Sequence, residues 1–262
     1  MKRPDRFFVA DLAALTVGET LELDPREAAH ASRVKRHRTG DRIELFDGRG
    51  LVARAAVTAT DPRRGVTVRL TESESAAPPA GALCLATAVP RGDRMESLVE
   101  TACQLGVARI APIVFERSTP GTRGRSQRWQ RVAIEACKQS GRNHFPRIDE
   151  PAALADWLAS KPPAPAGRWL ADPGGAEPAA LAGAARRGPC VALVGPEGGL
   201  TRSEFGACLA AGFSTVRLGD HILRIETAAM AVGVVAMLPG ASPPATPARP
   251  ESARSRATRS CP

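Results

Sequence analysis

The chain has 262 residues, the length of one large domain or two ordinary ones, enough to bury a sizeable core. With 43% hydrophobic and 24% charged residues it fits neither a wholly disordered chain nor a membrane protein. Its longest uncharged apolar run, Thr227 to Leu238, falls short of the roughly 20 residues that a bilayer span requires. The formal charge of +9 invites an acidic partner, and its distribution is more telling than its size.

Between 117 and 147 the chain carries Arg117, Arg123, Arg125, Arg128, Arg131, Lys138, Arg142 and Arg147 against the single acid Glu135. A smaller cluster, Arg33, Lys35, Arg36, Arg38 and Arg42, lies beside His30 and His37. Arginine dominates both, and its planar fork suits phosphate and stacks on bases, so the patches point to a polyanion. Asp5, Arg6 and Asp11 interrupt the first apolar residues; no secretion signal is read there and a cytoplasmic location is expected. Cys84, Cys103, Cys137, Cys190, Cys208 and Cys261 form no CxxC pair and no zinc spacing. The first five fall in apolar runs and read as structural thiols, with neither a disulfide nor a metal expected.

In chain order, the first regular pattern lies between Asp41 and Thr71. Residues 42–46, 51–57 and 66–70 read as short β runs, with Asp47-Gly48 as a hairpin signal. Residues 72–82 lose all periodicity and read as a linker, so a small β domain is expected over 1–75 with the connection at 76–82. From 83 to 240 strands and helices alternate. The uncharged run Ala82 to Val89 suits a strand buried on both faces. Asp93 with Glu96 can open a helix whose apolar positions Met95, Leu98, Val99, Ala102 and Leu105 recur at helical spacing until Gly106. A strand over 110–115 follows, then a helix capped by Ser126, ended by Gly141, with the apolar face Trp129, Val132, Ala133 and Ala136. Further strands are expected at 168–171, 190–194 and 214–218, with helices near 154–158 and from Thr201. This is an α/β domain with a largely parallel sheet. The last helix, from about Glu226 to Leu238, has no charge after its first turn and must be covered nearly all round, which points to a subunit interface. Residues 241–262 read as a disordered tail.

Two loops could carry chemistry. Gly195-Pro-Glu-Gly-Gly-Leu follows an apolar strand and precedes Thr201-Arg-Ser-Glu204, a capping box that opens a helix. A strand, a glycine loop and a helix N-terminus at the carboxyl edge of a parallel sheet form a usual ligand crevice. The spacing matches no phosphate loop, and Gly48-Arg-Gly50-Leu-Val-Ala53 satisfies GxGxxA only by letter, in a hairpin without the following helix. The second loop, Leu218-Gly219-Asp220-His221-Ile222-Leu223-Arg224-Ile225-Glu226-Thr227, again joins a strand to a helix. His221 has no nucleophilic partner nearby, and no GxSxG or HExxH occurs, so hydrolase chemistry has no support.

Taken together these residues resemble the ribosomal RNA small subunit methyltransferase E family of SPOUT (trefoil-knot) methyltransferases. The resemblance runs from His30 and Arg33 to Gly50, through Arg91-Gly-Asp-Arg-Met-Glu96, Gln104-Leu-Gly106, Arg117-Ser118, Glu135-Ala136, Gln139-Ser140 and Arg142. It continues in Gly195-Pro-Glu-Gly-Gly199, Leu218-Gly219, Ile222-Leu-Arg224 and Glu226-Thr-Ala228. It implies a PUA-like RNA-binding β-barrel followed by a knotted α/β methyltransferase domain, assembled as a homodimer. It also implies S-adenosylmethionine as cofactor, held by Leu170, Gly195, Gly199, Leu218, Gly219, Ile222 and Leu223. The product it implies is N3-methyluridine in 16S ribosomal RNA of the small subunit.

Uridine N3 carries a proton and points into the Watson-Crick edge, so the target must be unpaired or flipped out before a methyl group can reach it. Arg224 is the candidate for stabilising or orienting the uridine anion. Glu197 and Glu226 are candidate bases, with a capping role for Glu226 equally open. RNA contacts are expected from Arg6, Arg33, Arg36, Arg38, Arg117, Arg123, Arg125 and Arg142. The competing readings are a non-catalytic RNA-binding assembly factor and a knotted methyltransferase acting on another RNA.

Overall fold

The computed structural model describes residues 3–61, 65–78, 83–118, 126–160 and 162–238. The proposed tail 241–262, Arg123 and Arg125 lie outside them. The N-terminal part holds β1 (Arg6–Phe8), β2 (Thr20–Glu22), α1 (Pro25–Ala29), β3 (Arg42–Phe46), β4 (Leu51–Asp61) and β5 (Gly65–Ser75). They form a five-stranded sheet in the order β1-β3-β4-β5-β2, antiparallel except for the parallel pair β1 and β3. Alternation does the sorting: Val66, Val68 and Leu70 are buried while Arg69 and Thr71 face water. Ile43, Leu45, Val57, Val68 and Phe7 close one core, that of the PUA-like barrel.

Two local expectations change here. Residues 72–75 are strand rather than linker, because β5 continues to pair with residues 51–54 of β4. Asp47-Gly48 is not a two-residue hairpin turn: Asp47 Oδ1 accepts from Arg49 N at 2.7 Å and Leu51 N at 3.0 Å, which closes a longer loop. That loop docks the second half of the chain. Phe145 N donates to Gly48 O and Gly50 N to Asn143 O, while Phe8, Phe46 and Phe145 meet at ring-centroid distances of 5.3 to 6.0 Å.

The C-terminal part holds β6 (Leu83–Ala88), α2 (Arg94–Gln104), β7 (Arg109–Val114), α3 (Ser126–Ser140), β8 (Arg147–Ile148), β9 (Ala152–Ala153) and α4 (Leu154–Ala159). Then come β10 (Arg168–Ala176), α5 (Ala184–Arg187), β11 (Cys190–Val194), α6 (Arg202–Ala210), β12 (Ser214–Val216) and α7 (Ile225–Met237). Every pair in this seven-stranded sheet is parallel, and the order is β12-β10-β11-β6-β7-β8, with β9 also on β7. The chain first builds outward from β6, then crosses back, and β11 fills the slot between β10 and β6. β6 and β11 are buried at every position, as uncharged runs between helices should be. This is the SPOUT α/β half of the architecture.

Helix signals hold unevenly. Thr201 and Glu204 form the expected capping box. Asp93 flanks α2 but makes no capping bond; both it and Glu96 instead pair with Arg128 of α3, at 3.3 and 2.6 Å. Ser126 is already inside α3, and its hydroxyl donates to Glu150. The last helix packs through Ala228, Ala229, Val232 and Ala236, yet Met230, Val234 and Leu238 stay exposed in this single chain. The five described cysteines are buried and free. Burial pushes the Cys84 thiol up to about 12 and those of Cys190 and Cys208 up to about 11, which suits inert core thiols.

Candidate functional site

Because the strands are all parallel, the carboxyl ends of β10, β11 and β12 gather at one edge, where the loops that leave them diverge. A cleft of about 690 Å³ opens there, within the size range of small-molecule and cofactor sites. The loop after β11 contributes Gly195, Glu197 and Gly199, and the loop after β12 contributes Leu218, Gly219, Ile222, Leu223 and Arg224. Six of the seven residues expected around a cofactor therefore share one wall system. Leu170 does not: it is fully buried in the sheet, and the cleft begins one residue later, at Ala171.

Asp172 and Pro173 reach the cleft through a device the sequence pattern did not disclose. In the ladder between β10 and β12, Ala171 and Ala176 both oppose Val216, so the residues between them bulge outward. Glycine is required in that bulge, since a Cβ on Gly175 would lie 2.6 Å from the backbone nitrogen of Val216. The turn composition Asp172-Pro-Gly-Gly was the available signal. Leu200 and Phe205 add apolar lining, and both α6 and α7 begin at the cleft, at Thr201 and Arg202 and at Arg224 and Ile225. Their positive dipole ends favour an anionic group there, although the capping box already takes up the Glu204 N–H of α6.

The ionisable groups are arranged around one arginine. Arg94 at the start of α2 reaches Glu197 Oε1 at 2.9 Å and Glu226 Oε1 at 3.5 Å. Glu226 Oε2 is buried without a hydrogen-bond partner among the described residues. Arg224 is exposed, lines the cleft, and has no side-chain hydrogen bond or ion pair among the described residues. His221 is exposed at the same rim. A flat apolar group, an anionic group and an acceptor able to lose a proton can all be accommodated here. Arg94 lay in the Arg91–Glu96 motif, but its partners stand more than a hundred residues away in sequence.

The arginines expected on RNA divide. Arg33, inside a π-helical turn at His30–Val34, and Arg36 and Arg38, just after it, are exposed on the barrel, and Arg36 adopts φ +58°. Arg117 is exposed, but one guanidinium nitrogen donates to Gly198 O at 2.9 Å, bracing the glycine loop from behind. Arg6 and Arg142 do not face a partner. The Arg6 side chain is 1% exposed, pairs with Glu44 at 2.6 Å and donates to Cys137 O, Arg142 O and Asn143 Oδ1. Arg142 is half-buried and donates to Cys103 O. The basic stretch is further neutralised where Arg128 meets Asp93 and Glu96, Lys138 meets Glu27, and Arg147 meets Asp149. Formal charge overstated the free positive surface.

Comparison with known proteins agrees with both halves. A family model described as an RNA methyltransferase domain matches residues 77–237, and one described as an RNA methyltransferase PUA domain matches 23–71. Ribosomal RNA small subunit methyltransferase E of Mycobacterium tuberculosis is 30% identical over 230 residues, 84% of this chain and 87% of the relative. Among solved structures, a putative methyltransferase of Legionella pneumophila in complex with the bound cofactor SAM has a TM-score of 0.80 at 27% identity, covering 90% of this chain and 97% of that one. The small subunit methyltransferase E of Neisseria gonorrhoeae bound to S-adenosyl methionine has a TM-score of 0.77 at 29% identity, covering 88% and 96%. With its barrel, its parallel sheet and its glycine-walled cleft matched along most of the sequence, the chain belongs to the ribosomal RNA small subunit methyltransferase E family.

Proposed function

We propose that this chain uses S-adenosylmethionine to methylate N3 of a uridine in the 16S RNA of the small ribosomal subunit. The observation that carries the reading is the cleft between two glycine-bearing loops at the carboxyl edge of a parallel sheet. The residues fit the cofactor. A Cβ on Gly219 would meet nothing within 4 Å, so open space adjoins its backbone, and Leu218, Leu223 and Phe205 supply apolar lining for an adenine ring. Backbone groups of Gly195 and Gly219 supply donors and acceptors, Gly199, whose N–H already bonds Pro196 O, adds its carbonyl, and the helix starts suit a carboxylate. When bound, the cofactor supplies a methyl group already activated by a sulfonium.

The protein's own residues then have three tasks. Arg33, Arg36 and Arg38 on the barrel, with Arg117, Arg123 and Arg125 nearer the cleft in sequence, hold RNA phosphates and set its register. Arg224 directs an unshared guanidinium at the uracil edge and stabilises the anion that forms as the N3 proton leaves. That proton goes to a carboxylate, Glu226 or Glu197. Arg6 is left out of this role, since its guanidinium is buried and bound to Glu44, Cys137 O, Arg142 O and Asn143 Oδ1, whereas Arg142 is half-buried and spends one donor on Cys103 O.

A second copy of the chain completes the reading as a homodimer, with Met230 and Val234 of α7 and Leu238 at its C-cap as the apolar stripe it covers. The deciding assay supplies labelled methyl donor and unmodified small subunits, then maps the modified atom by nuclease digestion and mass spectrometry. Label at uridine N3 supports the reading; label on ribose or on another base overturns it. Gly195→Val tests the cleft: a Cβ there would lie 2.3 Å from Leu200 Cδ1, driving that side chain into the cavity. Calorimetry should show cofactor affinity reduced at least about tenfold, with subunit binding kept.

A further inference from the structure

We propose that Arg94 is a positioning residue that sets the width of the cleft, an inference that rests on the cofactor reading above. Arg94 does not line the cavity. Its guanidinium stands behind the mouth, with Nη2 on Glu197 of the glycine loop and Nη1 on Glu226, which follows the second loop at the root of α7. One cation thus ties the lining residue Glu197 to Glu226, the neighbour of Ile225 on the second wall.

The anchor of this tie is firm. Arg94 opens α2, and its Nε donates to Arg91 O at 3.1 Å, which fixes the direction of the side chain. Helix α2 lies along α7 closely enough that a Cβ on Gly233 would sit 2.9 Å from Leu105 Cδ1. Arg94 and Glu226, at the starts of these two packed helices, therefore keep their relation by helix packing. Glu197 sits on a loop that Arg117 braces through Gly198 O, and the Arg94 contact is what ties that loop to the start of α7.

The same geometry makes the residue indispensable in a particular way. Glu197 and Glu226 both contact one guanidinium, so without it two neighbouring carboxylates lose the cation between them, and like charges repel. Removing Arg94 would convert the tie into a wedge. The Arg94 side chain is 33% exposed, so each ion pair alone is screened and weak, and the effect belongs to cleft width rather than to global stability.

The test is calorimetric binding of S-adenosylmethionine to the full chain, with thermal unfolding recorded for each variant. Arg94→Met should weaken binding roughly fivefold to tenfold with little change in unfolding temperature. Arg94→Lys, which keeps the charge but loses the fork, should fall between Arg94→Met and wild type. The double variant Arg94→Met, Glu197→Gln should bind better than Arg94→Met alone, because the repulsion is gone; a merely structural arginine predicts no such recovery. Raising salt from about 0.05 to about 0.5 M should bring wild type toward Arg94→Met, a readout that needs no variant to fold. Wild-type affinity in Arg94→Met, or no recovery in the double variant, overturns the proposal while leaving the cofactor reading intact. Absence of binding by wild type overturns both.

Discussion

Two groups of arginines that are indistinguishable by composition take opposite roles in this fold. Arg6 lies where the barrel meets α3 and Arg142 just beyond α3; the guanidinium of Arg6 serves carbonyls at the C-terminal end of α3 and that of Arg142 the Cys103 carbonyl at the C-terminal end of α2. Arg33, Arg36 and Arg38 stand exposed on the segment that follows α1. Burial pulls the pKa of both Arg6 and Arg142 below the usual arginine value, a sign of desolvation that hydrogen bonds and Glu44 must offset. An exposed guanidinium has no such obligation and is available to a partner. The difference teaches that a basic stretch is informative about binding only after buried and paired charges have been subtracted.

The sharpest way to break this comparison is Arg6→Met. The change strips the ion pair from Glu44, whose side chain is 17% exposed, and leaves the carbonyl oxygens of Cys137 and Arg142 without that donor. Loss of one partner of a buried pair costs about 3 to 5 kcal/mol, and the partial exposure of Glu44 places the expectation near the lower figure. Urea unfolding measures it. A loss below about 1 kcal/mol would put Arg6 among ordinary surface charges.

The converse test is the triple variant Arg33→Gln, Arg36→Gln, Arg38→Gln. Stability should stay within about 0.5 kcal/mol of wild type, as for surface positions. Binding to small subunits should weaken, and the slope of log affinity against log salt should shrink by about 2, the expectation for three lost contacts to a single-stranded backbone. An unchanged salt slope would remove this face from the RNA path.

How much of this was legible in the sequence depends on how local each feature is. The Thr201–Glu204 box and the glycine loops were readable because their partners are a few residues apart. Alternation in β4 and β5 gave the barrel's inside and outside, but not that β5 runs on to Ser75. Leu170 lies one residue short of the cleft lining, since a strand buried on both faces gives no parity to show where the sheet ends and the cleft begins. Asp93 and Glu96 had the spacing of a cap, yet Arg128 from another helix took both. Arg94 joining residues 197 and 226, and the bulge that delivers Asp172, depend on contacts between distant segments, to which periodicity is blind.

A smaller effect sharpens the junction side of the comparison. Glu27 of α1 meets Lys138 of α3 at 2.9 and 3.0 Å, with both side chains nearly buried. Burial raises the Glu27 carboxyl above the ordinary glutamate value, against the opposing hydrogen bond and charge of Lys138. A raised value in the folded state means that the folded chain holds this proton more tightly than the unfolded one. The stability contributed is fully present below the ordinary glutamate range and is lost as pH rises through the raised value. Glu27→Gln removes that dependence. Unfolding temperatures measured against pH should therefore show wild type gaining on the variant as pH falls from neutral through that window. The opposite trend would mean that Lys138 outweighs burial.

The smallest effect is expected at Arg36, and it isolates what the exposed face contributes. Its φ of +58° is a left-handed conformation that costs a side-chain-bearing residue about 1 to 2 kcal/mol and glycine nothing. Arg36→Gly relieves that strain, while the added freedom of glycine in the unfolded chain returns about 0.5 to 1 kcal/mol in the other direction. The two nearly cancel, so the variant should match wild type or exceed it by up to about 1 kcal/mol in urea unfolding. The left-handed turn at Arg36 ends the helical segment and lets His37 N donate to Ala31 O at 3.0 Å, a closure that glycine keeps, so Arg36→Gly removes the guanidinium without removing the turn. Subunit binding weaker in Arg36→Gly than in wild type, at equal or higher stability, would assign the guanidinium to RNA; a clear loss of stability would return Arg36 to the structural group with Arg6.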